Sequence, residues 1–499
     1  MSAASPDAAL IAEVDENAMK EERGNVLVQR ARDRLQELDA HVVIEMALNY
    51  LKRRPDDGFD WYQRLPFVSF LMIKWAAELW GPDAQRRAPT PQDFDDIHQL
   101  RWDAIGTLVS PLPKSIGMRR IAFQQIWFQR GFDVGSIPRQ AAIFGHLMRD
   151  GSVMREFVSE VGIEPGDFVR QLAAMGSQTG DLFELPLLSA LKPEPRTADA
   201  THWSILRQFL VCELPALHER MRALASYGTP REVELCEQSP LIRTPFIATS
   251  RGDECVHHKV LFRALETALY DILRARGPEV FMRDFGPAFE AYVGDVIAET
   301  GCFVVPEDQL QAILDGDGKC VDYALVTDDL LLLVDSKGIE GHYDELYHSL
   351  PEVLTAKLRT TALHAADQGV DTVRRLPSYL RRPMTAFLCV TYKQLNIGDG
   401  NALRDLTIGT SEWDAPRWHE ASLPPAQMFT ISIWELELLC GVARAGTPLV
   451  EVLRKILIDN AAPETRKLLF EQHMAPYGSV SIPQCSRDAA AALCGMFGE

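Results

Sequence analysis

Asp322, Asp335 and Lys337 are the residues whose type and spacing point to chemistry. The stretch 319–338 reads KCVDYALVTDDLLLLVDSKG. Two apolar runs, Val321–Val326 and Leu330–Val334, flank the polar turn Thr327–Asp328–Asp329, which predicts a β-hairpin. Asp322 interrupts the first run, and the triplet Asp335–Ser336–Lys337 ends the second. Pairing the two strands brings the two acids to one end of a sheet, with the lysine beside them. Converging carboxylates are hard oxygen ligands suited to Mg²⁺, with Mn²⁺ as a substitute. A lysine next to such an ion can hold or deprotonate a water, so the set is equipped to hydrolyse a phosphodiester. A charged group in an apolar strand also requires a partner or a metal.

The elements that must position these residues follow from hydrophobic period and breakers. Helical spacing predicts helices over 31–51, 61–80, 119–130, 157–175 and 202–227, with a Pro-rich connector at 192–197. Composition shifts near Pro240. There PLIRTPFIATSRGDECVHHK predicts two short strands about an Arg-Gly-Asp turn. A helix over 260–276, a break at Gly277–Pro278 and a helix over about 284–299 come next. A strand near 302–305, the hairpin and a long helix over about 344–366 follow. Strands at 383–392 and 428–433 and helices at 434–443 and 448–460 close the pattern. The expectation is a largely helical half, residues 1–238, followed at 239–499 by an α/β domain with a mixed sheet flanked by helices. The helical half has no chemistry of its own and reads as a recognition or regulatory module.

The segment from about Asp284 to Leu439 resembles the PD-(D/E)XK (restriction-endonuclease-like) nuclease superfamily. In that family a helix bearing a glutamate precedes a hairpin that supplies an aspartate and then a D-x-K or E-x-K triplet. Here the helix FGPAFEAYVGDVIAE offers Glu290, with Asp295 and Glu299 on the same helix, the first strand offers Asp322, and the triplet is Asp335–Ser336–Lys337. Valine stands before Asp322 where the family commonly has proline. The resemblance covers about a third of the chain. It implies that Glu290, Asp322, Asp335 and the Ser336 carbonyl hold Mg²⁺, with Lys337 orienting the attacking water. It also implies a nuclease, with a DNA endonuclease the leading reading. A large helical module joined to such a domain looks like solitary bacterial proteins that act against phages, which adds a protein or phage trigger as an expected partner.

Basic residues that could grip a phosphate backbone are Lys357 and Arg359 after the triplet and Arg374, Arg375, Arg381 and Arg382 in RRLPSYLRR. Residues 101–150 add seven Lys/Arg against three Asp/Glu. The formal charge of −19 argues against promiscuous polyanion binding and leaves recognition to such local patches. The nine cysteines form no C-x-x-C pair, so no structural zinc site is expected. DGDG at 315–318 lacks the downstream glutamate of a calcium loop, and His257–His258 reads as structural. No P-loop, G-x-S-x-G, H-E-x-x-H or Rossmann glycine pattern occurs. The acidic N-terminus lacks a signal-peptide pattern and no apolar run reaches the roughly 18 residues of a membrane span, so a cytoplasmic protein is expected. Two other readings use the same residues: a nuclease-like scaffold that binds nucleic acid or protein without cutting, and an RNase acting on structured RNA. Double-strand cutting would need two sites, hence a homodimer.

Overall fold

The computed structural model describes residues 22–52, 66–82, 85–108, 130–178, 187–191, 200–225, 239–314, 318–338, 351–407, 423–467, 469–478 and 480–494. The chain divides into two units that are not collinear with the sequence: unit 1 is 1–132 with 171–266, and unit 2 is 133–170 with 267–499.

Unit 1 is built around helix α2 (Pro66–Leu79), whose sequence PFVSFLMIKWAAEL is apolar on nearly every side and largely buried. Helices α1 (Ala40–Lys52) and α3 (Leu214–Ala225) pack against it. The two strands expected about Arg251–Gly252–Asp253 form here. Strand β1 (Val211–Cys212) pairs in parallel with β2 (Phe246–Thr249), and β2 pairs antiparallel with β3 (Gly252–Cys255). Helix α4 (His258–Glu266) follows, and its Val260 joins the same core as Trp75 and Ile44.

The division therefore falls at 266/267 rather than at 238/239. The reason is local. β2 and β3 pair with β1, so the hairpin and α4 stay with the helical unit. The expected helix over 260–276 is broken at Thr267, whose φ is −130°, and α5 (Ala268–Arg276) starts unit 2. The short helices of 133–170 also belong to unit 2.

Unit 2 carries the mixed sheet. Helix α6 (Pro278–Ala298) begins with proline in its first turn, so Gly277–Pro278 starts it. It is followed by β4 (Phe303–Pro306), the short helix α7 (Glu307–Ile313), β5 (Tyr323–Val326) and β6 (Leu330–Lys337). Helices α8 (Pro351–Leu358) and α9 (His364–Arg375) cross to β7 (Met384–Thr391). Strands β8 (Gly398–Asp399) and β9 (Met428–Ser432) complete a sheet of order β4-β5-β6-β7-β9-β8. β4, β5 and β6 are antiparallel, whereas β6, β7 and β9 run parallel. Helix α10 (Ile433–Arg444) and helix α11 (Gln484–Cys494) follow.

Central strand β6 is buried on both faces, which is why its sequence LLLLV runs without alternation. Leu331 and Leu333 pack with Ala365, Ala366 and Val370 of α9. The opposite face meets α6. Among the described residues no helix is long and apolar enough to cross a membrane. Cys212, Cys255, Cys320, Cys389 and Cys440 are buried free thiols.

Candidate active site

Strand register decides which acids meet. Pro306 pairs with Tyr323, and Tyr323 pairs with Val334. Continuing both registers by one residue sets Glu307 beside Asp322, and Asp322 beside Asp335. Three neighbouring strands thus deliver one acid each to the same edge of the sheet. Helix α6 brings a fourth, Glu290. Carboxylate oxygens of Glu290, Glu307 and Asp322 all lie within 4.8 Å of one another, a spacing that can hold a metal ion.

Glu290 is placed by a close approach of α6 to the sheet. The Tyr323 hydroxyl donates to the Glu290 carbonyl at 3.0 Å. Gly294, one turn on, makes room for it: a Cβ at that position would stand 2.5 Å from the Tyr323 hydroxyl oxygen. Glycine inside a helix costs about 1 kcal/mol, and this contact is what it allows.

Asp322 precedes β5 and is held by the triplet. Its Oδ2 accepts from the Ser336 N–H at 2.6 Å and from the Ser336 hydroxyl at 2.5 Å. Asp335 and Lys337 continue the row of β6 side chains that faces α9. Asp335 has no solvent exposure. Its Oδ2 lies 2.6 Å from Lys337 Nζ. Beyond that ion contact neither oxygen has a hydrogen-bond donor. Lys337 Nζ also donates to Gln368 Oε1 of α9 at 2.9 Å.

Electrostatics follow from this crowding. Burial, followed by the Asp322 and Glu307 charges, raises the Glu290 carboxyl above the ordinary range, with Lys337 opposing. Burial pushes Asp335 up to about 7 against the pull of Lys337. Burial lowers Lys337, but the Asp335 charge outweighs it and leaves the ammonium above its ordinary value. Above neutral pH the two form an ion pair. The site then gathers four carboxylates around one ammonium, an excess of negative charge that favours a hard divalent cation.

The expected residues are thus distributed unevenly. Glu290 and Asp322 come together. Asp335 stands next to Lys337 and outside the three-carboxylate cluster. Ser336 engages Asp322 through its N–H and hydroxyl. The sequence gives no sign of Glu307, because α7 is short and its glutamate lies fifteen positions before Asp322. Only the β4–β5 register brings the two side by side. Gln368 was likewise invisible, being 31 positions from Lys337.

The arginine cluster is divided. Arg382 donates through Nε to the Thr327 carbonyl at 2.6 Å, at the hairpin turn. Leu330 pairs with Met384 at that end and Asp335 with Cys389 nearer the other. Five residues of strand separate them by about 17 Å. Arg381 donates to the Leu376 carbonyl beside it. Both are therefore remote from the acids and tie loops together. Arg375 donates to the carbonyls of Leu314 and Lys319. Arg374 is exposed in the last turn of α9, Lys357 is half-buried in α8, and Arg359 is exposed just after it. Asp295 is exposed on α6, and Glu299 at its end pairs with Arg444. His257 and His258 are buried, with ring centroids 4.3 Å apart and planes tilted by 33°. Residues 119–129 and 315–317 lie outside the described residues.

No family model, curated protein or solved structure matches the chain.

Proposed function

We propose that this chain is a Mg²⁺-dependent nuclease of the PD-(D/E)XK type, with DNA as the leading substrate. The convergence of Glu290, Glu307 and Asp322 beside the Asp335–Lys337 pair carries the reading. The order of elements supports it: a helix bearing Glu290 upstream of a hairpin that supplies Asp322 and the triplet is what the resemblance implies.

The donor set fits the ion. It offers only carboxylate oxygens, no imidazole or thiolate, and the buried Asp335 at its flank has no donor beyond Lys337. Glu290, Glu307 and Asp322 would hold the cation, with Asp335 at its flank. A bound Mg²⁺ would polarise the scissile phosphate and offset its growing negative charge. Ser336 fixes the Asp322 carboxylate through two donated hydrogen bonds. Gln368 and Asp335 hold the Lys337 ammonium in one place, where it can orient a water toward phosphorus. Burial of this end of β6 limits competing solvent. A large helical unit in the same chain suits target sensing, and defence against phage is the setting we assign to it.

The test combines metal binding with catalysis. Mn²⁺ is expected to raise the melting temperature of the full chain, and Mg²⁺ or Mn²⁺ to support cleavage on a panel of single- and double-stranded DNA and structured RNA. Asp335→Ala and Lys337→Ala should each cut the rate by roughly a thousandfold with the fold retained. Cleavage that survives both substitutions would falsify the assignment. Metal binding without cleavage of any substrate would replace it with a non-cutting scaffold, and cleavage confined to RNA would make the protein an RNase.

A further inference from the structure

Hydrolysis of a phosphodiester needs a group that takes a proton from the attacking water, and Lys337 is badly placed for that task. Its Nζ lies 2.6 Å from Asp335 Oδ2 and donates to Gln368 Oε1 at 2.9 Å. Both contacts stabilise the ammonium, whose pKa stands above its ordinary value because of the Asp335 charge, against the pull of burial. An ammonium can donate to a water but has no lone pair to accept its proton. Asp335 has no solvent exposure, and its Oδ2 is spent on that pair. Glu290, Glu307 and Asp322 are the carboxylates that would hold the cation.

Helix α9 supplies another group. His364 is its first residue and is exposed. It stands four positions before Gln368, so the two share one face of the helix, a turn apart. Side chains on a helix lean toward its N-terminus. The Gln368 amide, and the Lys337 Nζ that it binds, therefore lie over the turn that His364 begins. Gln368 also donates through Nε2 to the Cys320 carbonyl at 3.4 Å, which ties the same turn to the segment carrying Lys319 and Asp322. The residues just before His364, Arg359–Leu363, form a π-helical turn, a departure from α geometry that is frequent at functional sites.

The charged groups that face His364 are Lys337 of β6, Lys319 ahead of β5 and Asp367 on its own helix. Burial, then the two lysines, lowers the imidazole below its ordinary value, with Asp367 opposing. The ring is neutral at pH 7 and keeps a lone pair for a proton. We propose, on the nuclease reading given above, that His364 is the general base of this site and that Lys337 only orients the water. The imidazole takes one proton as the water oxygen bonds to phosphorus and the P–O bond to the leaving strand breaks. The leaving oxygen takes a proton from solvent, and the imidazolium returns its own proton to solvent afterwards.

His364→Ala in the full chain tests the assignment with readouts besides the rate. Cleavage should fall by about a hundredfold, the low end of what a positioned base contributes. Added imidazole should restore part of that loss, which a packing defect would not allow. The rise in melting temperature on adding Mn²⁺ should match that of the parent, because His364 is no ligand. In EDTA, NMR titration of the selectively labelled histidines should place the His364 ring below the ordinary 6.5 and move it upward in Lys319→Gln. An unchanged rate in His364→Ala, no rescue by imidazole, a lost Mn²⁺ response or a His364 titration at or above 6.5 overturns the assignment and leaves the nuclease reading standing. A parent chain that cuts no substrate with Mg²⁺ or Mn²⁺ fails the nuclease reading itself and takes the assignment with it.

Discussion

Two of the places where unit 2 buries charge treat it in opposite ways. At the first, Arg139 donates through Nε to Glu437 Oε1 at 2.7 Å and through Nη2 to Glu437 Oε2 at 2.6 Å and Asp133 Oδ2 at 2.9 Å. The Tyr292 hydroxyl bonds Glu437 and Ser486, each at 2.6 Å. No nitrogen or oxygen of these side chains is buried without a partner. At the second, the edge of β4–β6, acids face acids, and Asp335 has only Lys337. Both sites meet the cost of desolvating a charge, but only the first meets it fully from within the chain. A satisfied network fixes structure. An unsatisfied one of hard donors is where, on the function proposed above, a cation and a substrate phosphate would supply what is lacking. Tyr292 and Glu290 share helix α6, so one element serves both sites.

Four variants sharpen that contrast. Arg139→Ala leaves Glu437 and Asp133 buried and unpaired, and should cost about 3–5 kcal/mol in chemical denaturation. A loss below 1 kcal/mol would remove the distinction between the two sites.

Asp335→Asn should do the reverse in metal-free protein. Its folded carboxyl titrates near 7, above the ordinary 3.8. The fold therefore retains a proton that the unfolded chain releases, and stability from this group is present below about pH 4 and lost as pH rises toward 7. Asparagine mimics the protonated form, so its stabilising effect should grow by about 2–4 kcal/mol between pH 4 and pH 8. A pH-independent difference would mean that Lys337 neutralises Asp335 throughout.

Glu307→Gln should weaken Mn²⁺ binding by about tenfold, or 1.4 kcal/mol. Equal affinities in parent and variant would place Glu307 outside the metal site despite its position. Gly294→Ala adds a Cβ against Tyr323 and should push α6 off β5. A loss of about 1 kcal/mol in metal-binding energy is expected, read as a shift in the Mn²⁺ titration, although alanine is the better helix former. A variant that gains stability and keeps its metal affinity would show that the Tyr323 contact positions nothing.

Much of unit 2 was legible in the chain. Most of the runs Val321–Val326 and Leu330–Val334 is strand, Tyr323–Val326 and all of the second, because apolar runs bounded by turn residues have few other uses, and the observed hairpin joins them. The helix about Glu290 also follows from its period, whereas the one expected over 344–366 runs on to Arg375, with 344–350 outside the described residues. Less legible was the boundary between units, since nothing around Thr267 signals that the helical pattern over 260–276 is cut. Of the arginines of RRLPSYLRR, Arg381 and Arg382 fall at the hairpin-turn end of β6 while Arg375 bonds the Lys319 carbonyl near Asp322, because a cluster of charge in sequence says nothing of which end of a sheet it occupies.

By itself the sequence determined the local facts: an acid before one strand, an acid and a lysine ending the next, and a glutamate on the helix upstream. These are set by side-chain alternation and by breakers, which act over a few residues. Tertiary structure alone decided that Glu307 joins Glu290 and Asp322, that Asp335 turns to Lys337 and Gln368, and that Arg382 lies at the far end of β6. Those choices depend on strand register and on which helix covers which face, and both are fixed only when distant segments bury their apolar surfaces together.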